Sequence, residues 1–104
     1  MSLRAGRLAA TIGLLCSAGL GHAQDANLGR NLAASCANCH GTNGHARGDM
    51  HSLAGVDAER LSALLAGYKS GTQTGTIMQQ IAKGYTDEQI RLIAAYFAAQ
   101  PARK

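Results

Sequence analysis

The chain has 104 residues and a formal charge of +4, and 46% of it is hydrophobic, yet it holds only one Phe, three Tyr and no Trp. That length bounds it to one domain, and the charge is too mild and too scattered to argue for nucleic acid. A short chain with so few rings is poorly furnished with core, and chains of this size commonly need a disulfide, metal or cofactor as a staple.

The N-terminal stretch "MSLRAGRLAATIGLLCSAGLGHAQDA" opens with Arg4 and Arg7, continues as an apolar run from Leu8 to about Leu20, and ends in Gly21-His22-Ala23. The run is shorter than the roughly 20 apolar residues a bilayer span takes. Basic start, apolar middle and small-residue end have the layout of a secretory signal over 1–23, with 24–104 as the single mature domain. Cys16 is expected to leave with the signal, and the product to be a soluble exported, periplasmic protein in a compartment that permits disulfides. Removing Arg4 and Arg7 leaves 8 basic residues against 6 acidic ones.

In chain order, "DANLGRNLAASCANCH" places Leu28, Leu32 and Cys36 at four-residue intervals on one helix face, with Asp25 or Asn27 able to cap the start. "GTNGHARGDMHSLAG" (41–55) has four glycines and no periodicity, and reads as a loop. "DAERLSALLAGYKSG" predicts a helix capped by Asp57, striped by Leu61, Leu64, Leu65 and Tyr68, and stopped at Gly71. "TIMQQIAKG" holds a short helix with Thr76 as its cap and Gly84 at its end. The last helix, in "TDEQIRLIAAYFAAQP", has a capping box of Thr86 and Gln89, acidic Asp87 and Glu88 in its first turn, and a face of Ile90, Ile93, Ala94 and Phe97. The expected class is all-α, about four helices joined by glycine-rich loops.

The remaining cysteines, Cys36 and Cys39, stand directly before His40. A zinc site would need a fourth ligand, and His45 and His51 lie closer to the cysteines than the usual finger spacing allows. A redox disulfide of the thioredoxin type is expected beside a βαβ pattern, which is not visible. A structural disulfide leaves His40 and the thin core unexplained. Two thiols separated by two residues reach one edge of a porphyrin and form thioethers with its vinyl groups, and the next residue, His40, then lies under the iron; C-x-x-C-H is read as a c-type haem attachment. One covalent haem c also supplies the missing apolar bulk, about which the four helices wrap.

His40 then binds iron through one ring nitrogen while a carbonyl holds the other. A methionine on the far side gives an electron-transfer haem of raised potential, whereas an open position admits small ligands or peroxide. Met50, ten residues after His40, has a tight span in which to cross from one face of the ring to the other, whereas Met78 lies beyond a complete helix and a loop that could carry it over, so Met78 is the expected sixth ligand. His45 and His51 read as exposed loop residues rather than ligands. Lys69, Lys83 and Arg47 read as solvated, with a haem propionate or an acidic partner as the alternative role.

With motif, methionine and terminal helix in place, residues 25–100 resemble the small class I c-type cytochromes, "CANCHGTNG" matching their haem-binding segment. His51-Ser52-Leu53-Ala54-Gly55 stands where that family has a P-x-L-A-G sequence; lacking the proline, the chain is expected to draw the carbonyl for His40 from elsewhere. The resemblance also implies that the first and last helices cross near Gly29 with Tyr96 packed there. Within the class, "YKSGTQTGTIMQQIAKGYTDEQIRLIAAYF" is similar to the cytochrome subunit of flavocytochrome c sulfide dehydrogenase, a family that pairs a haem subunit with an FAD-bearing subunit oxidising sulfide. This implies a monohaem subunit that takes electrons from the flavoprotein and passes them to a downstream cytochrome or oxidase. The chain offers no catalytic acid–base pair of its own. A free-standing shuttle is the alternative, and an open-iron ligand-binding or peroxidase-like protein a third.

Overall fold

The computed structural model describes residues 25–103, so the expected signal segment 1–23, with Cys16, lies outside the described residues. Every regular element among the described residues is helical: α1 (Leu28–Ala33) runs through a 3-10 turn (Ala34–Cys36) into α2 (Ala37–His40), followed by α3 (Ala58–Ser70), α4 (Met78–Ala82) and α5 (Asp87–Ala98). Counted as rods these are four, as the sequence pattern implies, but the first is not one uniform α-helix. Leu28, Leu32 and Cys36 are half-buried, and Ala33 is the residue of α1 that is fully enclosed.

The ends of α3 and α5 follow their local chemistry. Asp57 accepts a hydrogen bond from the Arg60 amide, and Gly71 closes α3 in the left-handed conformation that glycine adopts without steric cost. Thr86 and Gln89 form the reciprocal capping box at α5, at 3.1 and 2.9 Å. The two shorter helices depart from expectation. Asn27 occupies the cap position of α1 without a side-chain cap bond, its own amide being held by Asp25 Oδ1 at 2.9 Å. Ile77, not Thr76, precedes α4, and no side chain caps it. Both helices are too short to be set by capping, and tertiary contact fixes them instead.

α5 supplies the centre of the core. Ile90, Ile93, Ala94 and Phe97 are all buried, and Phe97, 1% exposed, is the largest fully enclosed side chain. Phe97, Ile93 and Ala94 pack with Ala33 of α1 and Leu61 of α3. The Lys69–Asp87 ion pair, 2.9 Å, ties the end of α3 to the start of α5, so Lys69 has a partner and is not simply solvated.

α1 and α5 cross at Gly29, as the resemblance implies: a methyl group there would meet the Leu92 carbonyl oxygen at 2.9 Å and lie 3.7 Å from Tyr96 Cβ. Gly29→Ala gains helix propensity, about 1 kcal/mol at most, but must push apart a pair of packed backbones, at about 1–3 kcal/mol. The expected net loss, on the order of 1 kcal/mol, lowers the melting temperature by about 4–8 °C in a domain this small. An unchanged melting temperature would show that the helices separate freely.

Candidate functional site

The site is built from the C-terminal end of the first rod and the loop that returns to it. Cys36 closes the 3-10 turn and packs against the hydrophobic core, whereas Cys39, one turn on in α2, is exposed. Both thiols are free. Burial pushes the Cys36 thiol above its ordinary pKa, with hydrogen bonding opposing the shift. A reactive redox dithiol needs the opposite, a thiol lowered by nearby positive charge. Among the described residues no three His, Cys, Asp or Glu side chains gather as a metal cage requires. The thioredoxin and zinc chemistries therefore find no support in the geometry.

His40 ends α2, and Gly41, at φ +83°, turns the chain sharply away. The His40 ring is fixed by one contact: Nδ1–H donates to the His51 carbonyl oxygen at 2.7 Å. That bond assigns the ring proton to Nδ1 and leaves Nε2 as the nitrogen with a lone pair to offer. The carbonyl does not come from elsewhere in the chain, as the missing proline suggested. It comes from the very position the proline would fill, because the acceptor is backbone and any residue supplies it.

The loop that carries His51 is wound tightly. Gly44 N–H donates to Gly41 O at 3.0 Å and His45 N–H to Thr42 O at 3.1 Å, while the Gly44 carbonyl accepts from both Leu53 and Ala54, at 2.8 and 3.2 Å. Gly55 N–H donates to the Phe97 carbonyl at 2.9 Å. Thr42–Gly44 forms a short 3-10 turn within the expected loop, with Asn43 left-handed at φ +55°. The His51 side chain is exposed, as expected, but His45 is not a free loop residue: it is half-buried and its Nδ1 is enclosed, because the turn at Gly41 folds the chain back on itself. Lys83 and Arg47 are exposed.

Met78 opens α4 and is half-buried, whereas Met50 is 44% exposed in the loop. Next to Met78 in sequence, Ile77 and Ile81 are exposed at 56 and 38%, and on α3 Leu64 is exposed at 36%. The stripe expected on α3 is thus split, with Leu61 buried, Leu65 and Tyr68 half-buried, and Leu64 bare. Two free thiols in consecutive turns of the first rod and one oriented imidazole beside them suit a large flat apolar cofactor holding iron, with Met78 carried on a separate helix that packs against α3.

Sequence reasoning missed three contributors: the His51 carbonyl, the hydrogen bond between Ser35 Oγ and Tyr85 OH (2.7 Å), and that from Tyr96 OH to Asn43 Oδ1 (2.5 Å). The Asn43-Gly44 dipeptide is a left-handed turn signal that could have located the last; nothing local marks the others.

A thiol pair and oriented histidine of this kind on an all-helical scaffold define a c-type haem protein. The chain belongs to the cytochrome c family, whose model matches residues 26–100. It is 45% identical to the cytochrome subunit of sulfide dehydrogenase of Chlorobaculum tepidum, over 66% of this chain and 63% of that protein. It is 40% identical to the thiosulfate dehydrogenase electron acceptor of Stutzerimonas stutzeri, over 71% of this chain and 36% of that one. It is 34% identical to cytochrome c-554(548) of Halomonas halodenitrificans, over 75% of this chain and 99% of that one. The chain spans less than two thirds of the length of the first two and nearly all of the third. It is an electron carrier whose cofactor is covalently bound haem c. Among the described residues no helix is long and apolar enough to cross a membrane.

His51 donates no amide hydrogen bond among those described, so a proline ring there removes none. His51→Pro is expected to stabilise the haem-loaded protein by about 0.4–1 kcal/mol through a stiffer unfolded chain, with the visible spectrum unchanged. Chemical denaturation checks it; a loss of stability would mean that the backbone at 51 departs from proline geometry.

Proposed function

We propose that Cys36 and Cys39 would hold the porphyrin by thioethers, that His40 Nε2 and Met78 sulfur would hold its iron, and that this periplasmic protein is the haem subunit receiving electrons from a flavoprotein that oxidises sulfide. The haem supplies a one-electron couple. The polypeptide's role is to hold still: Cys36, half in the core, and Cys39 fix the cofactor edge, and the His51 carbonyl keeps the His40 ring in one orientation and raises its basicity. The Met78 thioether, as an iron ligand, would favour the reduced form and raise the potential. Ile77 and Ile81 flank Met78 in sequence and supply apolar side chains that would exclude water from a cofactor packed against them. No residue is assigned a proton-transfer role, so sulfide chemistry takes place on the partner.

The similarity to the sulfide dehydrogenase cytochrome subunit carries the choice of partner. A second reading, an independent shuttle between redox proteins, is supported by the match over 99% of the length of cytochrome c-554(548). Purification of the exported protein at low salt separates them: the first reading expects a flavin-containing protein to co-elute and to reduce the haem when sulfide is added. A lone haem protein with no affinity for a flavoprotein would overturn it in favour of the shuttle.

Met78→Ala is expected to abolish the ferric sulfur-to-iron absorption band and to lower the midpoint potential by on the order of 0.1 V or more, with haem still attached. An unchanged spectrum and potential would remove Met78 from the iron and reopen the third, open-iron alternative.

A further inference from the structure

The single hydrogen bond on His40 depends on a loop whose own fixing point is remote. Tyr96, on α5, donates from its hydroxyl to Asn43 Oδ1 at 2.5 Å across 53 residues of sequence. Asn43 is the one described non-glycine residue with positive φ, +55°, a conformation that asparagine tolerates better than most but that costs energy unless something holds it. Gly44 follows at φ +79°, buried so closely that a methyl group would strike Phe97 Cδ1 and Ala54 N, each at 2.8 Å. Its carbonyl accepts both the Leu53 and Ala54 amides, and Leu53 lies two residues beyond the carbonyl that holds His40. The chain of contacts therefore runs from Tyr96 to Asn43, through Gly44 to Leu53, and through His51 to His40 Nδ1.

We propose that Tyr96 and Asn43 are positioning residues for the haem iron's histidine: their bond sets the strength of the His51–His40 hydrogen bond and through it the redox potential. The inference rests on His40 being the axial ligand. The loop has a second tie to α5, the bond from Gly55 N–H to the Phe97 carbonyl, so losing the Tyr96–Asn43 bond loosens the loop without releasing it. A looser acceptor withdraws less of the Nδ1 proton, the imidazole becomes a weaker donor to iron, and the oxidised form loses more than the reduced form.

Tyr96→Phe keeps the Cβ that faces Gly29 and the ring that stands edge-on to Phe97, and removes only the hydroxyl. Asn43→Gly removes the acceptor while leaving the positive φ available. In the haem-loaded protein both variants, and the double variant no more than either single one, are expected to raise the midpoint potential and to speed hydrogen exchange at His40 Nδ1–H about tenfold, the scale of one weakened hydrogen bond. The sulfur-to-iron band should persist. Lowered thermal stability with unchanged potential and unchanged Nδ1–H exchange would reduce the pair to a structural role and overturn the proposal. The premise is read independently on the unmutated protein: a strongly shifted paramagnetic resonance for the His40 ring in the oxidised state establishes it as ligand, and its absence there would defeat the ligand assignment itself.

Discussion

Nearly every functional contact in this molecule is anchored to α5. Its buried face closes the core through Phe97, its Leu92 carbonyl meets α1 at Gly29, and its Asp87 draws in α3 through Lys69. Tyr96 and the Phe97 carbonyl hold the two sides of the loop that returns to His40. A 12-residue helix is marginal alone in water, so this role requires its ends to be well set and its inner face to be packed. The capping box at Thr86 and Gln89 provides the first, contributing about 1 kcal/mol, and the Ile90, Ile93, Ala94 and Phe97 face provides the second.

What α5 cannot provide is bulk. One phenylalanine and a set of small and aliphatic residues make a core to which α4 adds only Ala82, while Ile77, Ile81 and Leu64 of α3 keep much of their surface exposed. An apolar cofactor that covers these side chains stabilises the folded chain by burying them and, being covalently attached through Cys36 and Cys39, cannot dissociate as a mass-action ligand would. The scarcity of aromatic residues in the sequence fits a short chain that draws apolar bulk from its cofactor.

The features legible in the sequence are those in which neighbouring residues carry their own instruction. Thr86 and Gln89, Asp57, Gly71 and the buried face of α5 each declare a local geometry, and the structure agrees with them. The short helices do not follow their sequence signals, because Thr76 and the side chain of Asn27 are overruled where packing sets the ends. The His51 carbonyl was invisible for another reason. A backbone acceptor exists at every residue, so no side chain advertises it, and the absent proline pointed attention away from the right position. The bonds from Tyr96 to Asn43 and from Ser35 to Tyr85 join residues 53 and 50 apart, which periodicity cannot relate.

The substitution of histidine for proline separates two jobs that one residue can combine. A proline ring stiffens a loop and presents its carbonyl; His51 presents the carbonyl alone, 2.7 Å from His40. Stiffness then has to come from elsewhere. The loop obtains it from three backbone constraints: the doubly engaged Gly44 carbonyl, the left-handed Asn43–Gly44 pair, and the Gly55 amide on α5. With His40 holding the iron as proposed, a ring that keeps one orientation in both oxidation states would leave little to rearrange when an electron arrives. The rigidity that the function needs is thus distributed over the backbone of residues 41–55 and the end of α5, rather than placed in one ring.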